Sequence, residues 1–176
     1  MVRIGVLVKK RDRRILSLID DLLNGRDDCE IEEVSLLSPK RYDLVVLHSI
    51  DKRNAGEKNN LKPLFFENSS VSLNVILYNS DNKHVYSLLN GQRCNLITYG
   101  LNSKACITAS SIRPDSVQFC IQRAFDTVSG VRVEEQEFSL ASDSENSWEH
   151  LISAMSVAIL MDASLGAELN IAGLPL

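Results

Sequence analysis

Four short apolar segments within the first hundred residues constrain the fold most strongly. They are Val2–Val8, Tyr42–His48, Leu73–Tyr78 and Asn95–Thr98. Tyr42–His48 is almost uniformly apolar, as a central strand of a parallel sheet should be, and Val2–Val8 has the pattern of a buried strand. Apolar residues at helical spacing follow the first segment, which predicts a strand–turn–helix unit. The first hundred residues therefore predict a parallel sheet whose strands are joined by helical crossovers.

The pattern changes after residue 104. Strand-like segments near residues 105–111, 117–123 and 131–140 are separated by short turns, which favours antiparallel pairing. An apolar stripe at helical spacing predicts a helix over Trp148–Leu165. The predicted fold is α/β, with a mostly parallel sheet flanked by helices, then a small antiparallel strand set and a C-terminal helix. We assign residues 1–166 to one domain and residues 167–176 to a tail.

The composition excludes several classes of protein. The chain has 176 residues, a net charge of −4 and a pI near 5.4, and this acidic balance argues against nucleic acid as a partner. No apolar run approaches the roughly 18–20 residues that a membrane-spanning helix needs. The N-terminal charges follow the first apolar segment, the reverse of a secretory signal, so we expect a cytoplasmic protein. The four cysteines lack C-x-x-C spacing, which favours buried free thiols over a metal site.

Residues 94–125 read CNLITYGLNSKACITASSIRPDSVQFCIQRAF. The segment combines an apolar strand, a Tyr-Gly break, a strand of small residues and a strand that ends in Phe-x-Ile. This succession resembles the late part of the ATP-binding central domain of the Mur ligases, which add amino acids to the peptidoglycan precursor. The layout predicted for the whole chain is similar to that domain as well. The resemblance implies ATP and Mg²⁺ as cofactors and, because it covers the central domain alone, a truncated relative.

The segments that bind ATP in those enzymes are altered here. The family has a glycine-rich loop after the first strand, whose N–H groups and Lys hold phosphate. The corresponding residues read LVKKRDRR and contain no glycine, which leaves Lys9 and Lys10 as candidates for binding an anion. A solvated basic turn is the alternative interpretation of these lysines. Glu33 matches the position of a carboxylate that helps to hold Mg²⁺, although a surface carboxylate on an edge strand explains it equally.

Two further motifs carry candidate binding residues. Lys62, within LKPLF, matches the position of a carbamylated lysine that helps to position the metal, with a solvated surface lysine as the alternative. Asn79 and Asp81, within YNSDN, resemble a Val-Asn-x-Asp-Asp motif whose Asn contacts the adenine ring. Asn and Asp are also the usual turn and helix-capping residues after a strand. We interpret His48, at the end of an apolar strand, as a hydrogen-bonded structural residue.

The preserved strands and the altered ATP motifs together predict a non-catalytic, Mur-ligase-like protein with a binding or regulatory role in cell-wall synthesis. Its partner would be a nucleotide or a cell-wall-synthesis protein, and no catalytic residue is predicted. The alternative is a truncated ATP-dependent amide ligase, which joins an acid to an amino acid. It would keep residual nucleotide binding through Asn79, Lys62 and the basic turn of Lys9, Lys10 and Arg11. A third hypothesis is an unrelated α/β binding module, which a structure without the antiparallel strands would favour.

Overall fold

The computed structural model describes residues 1–9, 12–23, 26–34, 42–49, 75–85, 89, 95–141 and 147–163. This part of the chain contains two helices, α1 (Arg14–Leu22) and α2 (Trp148–Leu160). Its strands are β1 (Val2–Leu7), β2 (Cys29–Glu33), β3 (Leu44–Leu47), β4 (Val75–Asn79), β5 (Asn95–Tyr99), β6 (Ile107–Ile112), β7 (Ser116–Ile121), β8 (Phe125–Asp126), β9 (Arg132–Val133) and β10 (Gln136–Ala141).

Eight of these strands form one sheet, in the order β10-β7-β6-β5-β4-β3-β1-β2. Parallel pairing runs from β2 through β1, β3, β4 and β5 to β6. β7 is antiparallel to β6, and β10 is antiparallel to β7. The prediction of an α/β fold with a mostly parallel sheet, antiparallel strands and a C-terminal helix is confirmed at this level.

The antiparallel strands β7 and β10 extend the parallel sheet, a connection that the sequence does not specify. β6 pairs in parallel with β5 through Tyr99 and Ile107 and antiparallel with β7. The predicted strand over residues 131–140 is divided in two. Its first part, β9, pairs with β8 in a separate two-stranded ribbon, and its second part, β10, returns to the edge of the main sheet.

Both faces of β3 are buried, as are residues 4–7 of β1 and residues 75–78 of β4. β5 differs, because Leu96 is 42% exposed and only Ile97 and Tyr99 are buried. On β3, Leu44 and Val46 belong to one hydrophobic core, whereas Val45 and Leu47 belong to the core on the opposite face. α1 and α2 contribute to the first core and pack against each other there. Successive residues of β1 and β4 also alternate between the two cores. The strand period of two is therefore present, although both faces are apolar and no polar–apolar alternation in the sequence shows it.

Helix α2 is more deeply buried than a single apolar stripe predicts. Every residue from Leu151 to Leu160 is buried, because α2 packs against α1 and against strands of the sheet. The helix ends at Leu160, five residues before the predicted boundary. At its beginning the Ser147 hydroxyl accepts a hydrogen bond from the His150 N–H at 3.3 Å, a regular N-cap. This cap fixes where the first turn of α2 presents Glu149 and His150.

Several predictions fall outside the described residues. Lys10, Lys62, Cys94 and the predicted tail at residues 167–176 are among them. The other cysteines, Cys29, Cys106 and Cys120, have free thiols but are half-buried, so the prediction of full burial is wrong for them. Among the residues that the structure describes, no helix is long and apolar enough to cross a membrane.

Candidate functional site

A cleft of about 410 Å³ opens at the edge of the sheet where β1, β3 and β4 end. β1 has β2 on one side and β3 on the other, so the sheet grows in opposite directions from β1. In open parallel sheets, ligands bind in the crevice outside the carboxyl ends of the strands at such a switch point. The cleft is lined by Lys9, Asp12, His48, Ser49, Asn79, Asp81, Asn82, Lys83, His84 and Glu149.

Asn79 and Asp81 line one side of the cleft and belong to a hydrogen-bonded group that we call the turn cluster: Asn79, Ser80, Asp81, Gly100 and Asn102. The Asn79 side-chain oxygen accepts a hydrogen bond from the Asp81 N–H at 2.9 Å, which forms an Asx-turn after β4. The Asp81 carboxylate accepts from the Asn102 amide at 2.8 Å and from the N–H of the residue after Gly100 at 2.7 Å. The turn cluster therefore ties the end of β4 to the end of β5.

Gly100 allows these groups to approach so closely. Its φ is +149°, and a Cβ at this position would lie 2.7 Å from an Asp81 carboxylate oxygen and 2.8 Å from the Ser80 hydroxyl. The Ser80 hydroxyl donates to the Tyr99 carbonyl at 3.0 Å and accepts from the Asn102 amide at 2.6 Å. Asp81 and Ser80 therefore have their hydrogen-bonding capacity largely used within the protein.

Beneath the cleft lies a second group, the floor cluster, which consists of His48, Tyr99 and His150. His48 follows β3, Tyr99 ends β5 and His150 belongs to the first turn of α2. His48 Nδ1 and the Tyr99 hydroxyl share a hydrogen bond of 2.7 Å. The rings of His48 and His150 have centroids 5.1 Å apart. Three elements that are distant in sequence thus converge on one buried imidazole that also lines the cleft.

His48 and Tyr99, two members of the floor cluster, are uncharged at neutral pH. Only 4% of His48 is exposed, and burial together with the neighbouring His150 lowers the pKa of His48 to about 4. Tyr99 is 1% exposed, and burial raises the pKa of its hydroxyl far above the usual value. A buried neutral imidazole that is hydrogen-bonded to a buried neutral phenol therefore forms the floor.

The structure brings together three of the residues predicted from the sequence. Lys9, Asn79 and Asp81 all line the cleft. The Lys9 N–H donates to the Ser49 hydroxyl at 2.9 Å, which joins the segments that follow β1 and β3. Both carboxylate oxygens of Asp81 accept hydrogen bonds within the turn cluster, so its position in the turn is accounted for without a ligand.

Glu33 lies apart from this cleft. It ends β2, at the edge of the described sheet, where its two carboxylate oxygens contact the Arg13 guanidinium at 2.7 and 3.2 Å. It lines a different depression of about 330 Å³ beside α1. Within the described part of the chain, no group of three or more His, Cys, Asp or Glu side chains is arranged to hold a metal ion. In this structure the Glu33 carboxylate is paired with the Arg13 guanidinium. A metal-binding role of Glu33 stays a prediction.

The sequence reasoning did not assign His48, Ser49, His150 or Glu149 to a binding site. His48 and Ser49 carry a signal that was available, because polar residues directly after a buried parallel strand lie at the carboxyl edge of the sheet. His150 and Glu149 carry no such signal. They reach the cleft because α2 packs across the sheet, more than a hundred residues after β1.

No protein-family model matches this sequence, and no curated protein matches it. The similarity to the Mur ligases therefore stays a prediction from the sequence motifs.

Proposed function

We propose that this chain is a non-catalytic binding protein on a Mur-ligase-like scaffold, and that a small ligand of the nucleotide class occupies the switch-point cleft. The observation that carries the proposal is the convergence of Lys9, His48 and Asn79, from the ends of three parallel strands, on one cleft. This is the position at which open α/β sheets bind their ligands.

The loop after β1 supports a binding role over a catalytic one. Residues 8–13 read VKKRDR, without the glycines that let backbone N–H groups wrap a phosphate chain. Among the described residues, two lysines, Lys9 and Lys83, line the cleft together with three carboxylates, Asp12, Asp81 and Glu149. This mixed lining is suited to holding a ligand, whereas phosphoryl transfer uses concentrated positive charge.

One observation favours the alternative function, an ATP-dependent amide ligase that keeps residual nucleotide binding. Lys9 and Asn79 are far apart in sequence, and the family motifs predict a role in nucleotide binding for both. They line the same cleft. An enzyme of this kind would have to turn ATP over in the presence of an acid and an amine, whereas the non-catalytic protein would bind ATP without consuming it.

Calorimetric titration with ATP·Mg²⁺ tests the proposal, combined with an assay for ADP release. We expect saturable binding that weakens in Asn79→Ala, without ADP formation. Asn95→Ala is the matched control, because Asn95 begins β5 and therefore lies at the opposite edge of the sheet. ADP release coupled to amide formation would favour the ligase, and no binding at millimolar ATP would exclude both nucleotide-based functions.

The proposal includes a cytoplasmic location and a partner in cell-wall synthesis. The first follows from the order of apolar and charged residues at the N-terminus, and the second follows from the Mur-ligase resemblance alone. Cell fractionation tests the location. Crosslinking in growing cells tests the partner, and recovery of proteins that are unconnected with the cell envelope would contradict that part of the proposal.

A further inference from the structure

The imidazole of His48 connects the hydrophobic interior with the cleft. Its Nδ1 lies 2.7 Å from the buried Tyr99 hydroxyl, while the ring also lines the cleft. Among the described residues His48 Nε2 has no hydrogen-bond partner, yet it is not one of the fully buried polar atoms without a partner, so it keeps access to solvent. One nitrogen is therefore engaged in the interior, and the other belongs to the side of the ring that a ligand in the cleft would meet.

The buried phenol determines which nitrogen carries the ring proton. Tyr99 is 1% exposed and remains protonated, so its O–H needs an acceptor inside the protein. The Ser153 hydroxyl also lies close to Tyr99, but within the described structure it makes no hydrogen bond. His48 Nδ1, at 2.7 Å, is therefore the acceptor that the geometry offers, and it can accept in the neutral imidazole. Because a neutral ring has a single N–H, acceptance at Nδ1 leaves the proton on Nε2.

Two further groups at the ends of neighbouring strands offer donors to the same cleft. The Asn79 oxygen is used by the Asp81 N–H, so the group that Asn79 can offer a ligand is its NH₂. The Ser49 hydroxyl oxygen accepts from the Lys9 N–H, which leaves the Ser49 proton to donate. Asn79, His48 and Ser49 thus present neutral donors along the ends of β4 and β3.

The charges that the described residues place around the cleft favour an uncharged part of the nucleotide, and not its phosphates, beside His48. Among these residues, Asp12, Asp81 and Glu149 contribute three carboxylates to the lining, and Lys9 and Lys83 contribute two ammonium groups. A group with several negative charges would meet these carboxylates at short range. A planar group with ring nitrogens or carbonyl oxygens would instead accept from the neutral donors without adding charge.

We infer that Tyr99 holds His48 in the Nε2–H tautomer as a neutral donor, and that the ligand places an uncharged acceptor of the nucleobase type against it. The inference rests on the proposed function, because it assigns a ligand group to the same cleft. In this arrangement Tyr99 is a positioning residue, whereas His48 contacts the ligand.

The tautomer is measured on the full chain without any ligand. Long-range ¹H–¹⁵N NMR spectra of the ¹⁵N-labelled protein at neutral pH distinguish the two ring nitrogens of His48. We expect a protonated Nε2 and an unprotonated Nδ1 in the wild type, and a mixture of tautomers in Tyr99→Phe. Tyr42→Phe is the matched control, because it removes a buried phenol hydroxyl from the core on the other face. A proton on Nδ1 in the wild type would overturn the inference.

The ligand class is tested with adenosine and with tripolyphosphate as separate probes. Adenosine is expected to shift the His48 Nε2 resonance, and His48→Leu should weaken its binding about tenfold, the equivalent of one good hydrogen bond. His48→Gln, which can restore an N–H donor, should recover part of the affinity. A shift caused by tripolyphosphate alone, or the absence of any effect of adenosine, would overturn the inference. The proposed function is judged separately, since it fails when ATP·Mg²⁺ does not bind.

Discussion

The turn cluster and the floor cluster lie at the same edge of the sheet, yet they use their polar groups in different ways. In the turn cluster, both Asp81 carboxylate oxygens accept hydrogen bonds from the chain around Gly100. In the floor cluster, His48 shares one hydrogen bond with Tyr99 and also lines the cleft. The cluster with the clearer sequence motif is thus mainly structural, whereas the cluster without a motif is better placed to contact a ligand.

The largest effect is expected from Gly100→Ala, which tests the structural role of the turn cluster. The new Cβ would meet Asp81 and Ser80 at less than 3 Å, and the φ of +149° disfavours a side chain. Overpacking and backbone strain together should lower the free energy of unfolding by about 4 kcal/mol. Chemical denaturation measures the change, with a circular-dichroism spectrum to confirm folding.

Gly130→Ala is the control for this experiment. Gly130 also has a positive φ, +87°, but no described atom lies within 4 Å of the position of its Cβ. The loss there should be about 1 kcal/mol, the cost of the backbone conformation alone. Equal losses at both glycines would show that the close contacts within the turn cluster contribute nothing to stability.

The next effect in size is a pH dependence that belongs to the floor cluster. The pKa of His48 falls from its usual 6.5 to about 4 in the folded protein. Between pH 6.5 and pH 4, His48 is therefore protonated in the unfolded chain but neutral in the folded chain. Stability should therefore fall as the pH is lowered from 6.5 to 4, by about 3 kcal/mol for the full shift. Of the neighbouring ionisable groups, His150 lowers the pKa of His48 and Asp12 raises it.

Denaturation curves at intervals over this range, for the wild type and His48→Gln, measure the pH dependence. The variant lacks the titrating group and should show a flatter profile between pH 6.5 and 4. Asp28, whose pKa is lowered by its hydrogen bond to Arg26, begins to contribute only in more acidic solution. A variant profile that is parallel to that of the wild type would assign the pH dependence to other groups.

The sequence predicts the turn cluster better than the floor cluster, because the first depends on local contacts and the second on long-range contacts. Strands that are buried on both faces, such as β3, are encoded locally as apolar runs, and the Asx-turn at Asn79 involves residues two apart. The floor cluster joins His48 to Tyr99, 51 positions away, and to His150 of α2, about a hundred positions away. Which strands become neighbours depends on packing over the whole sheet. The local sequence pattern therefore does not predict that β1 lies between β2 and β3.

A smaller effect is expected from Asp81→Ala. The substitution removes the acceptor for two N–H groups of the β5–β6 connection, Asn102 Nδ2 and Leu101 N. Because these bonds are exposed and water can replace the carboxylate in part, the loss should be about 1–2 kcal/mol of unfolding free energy. Asp115→Ala, in the turn between β6 and β7, is the surface control and should change stability by less than about 0.5 kcal/mol. Unchanged stability in Asp81→Ala, together with loss of ATP binding, would reverse the role assigned to Asp81.

The smallest expected change in stability separates the two uses of Asn79. Asn79→Asp keeps a side-chain oxygen for the Asp81 N–H but removes the NH₂ group, whereas Asn79→Ala removes both. We expect Asn79→Ala to lose about 1 kcal/mol of stability and Asn79→Asp to lose less than half of that, because the Asx-turn bond persists. Titration with ATP·Mg²⁺ should show weakened binding in both variants, because both lack the donor. If Asn79→Asp binds ATP as tightly as the wild type, Asn79 serves the turn alone and the ligand contacts belong to the floor cluster.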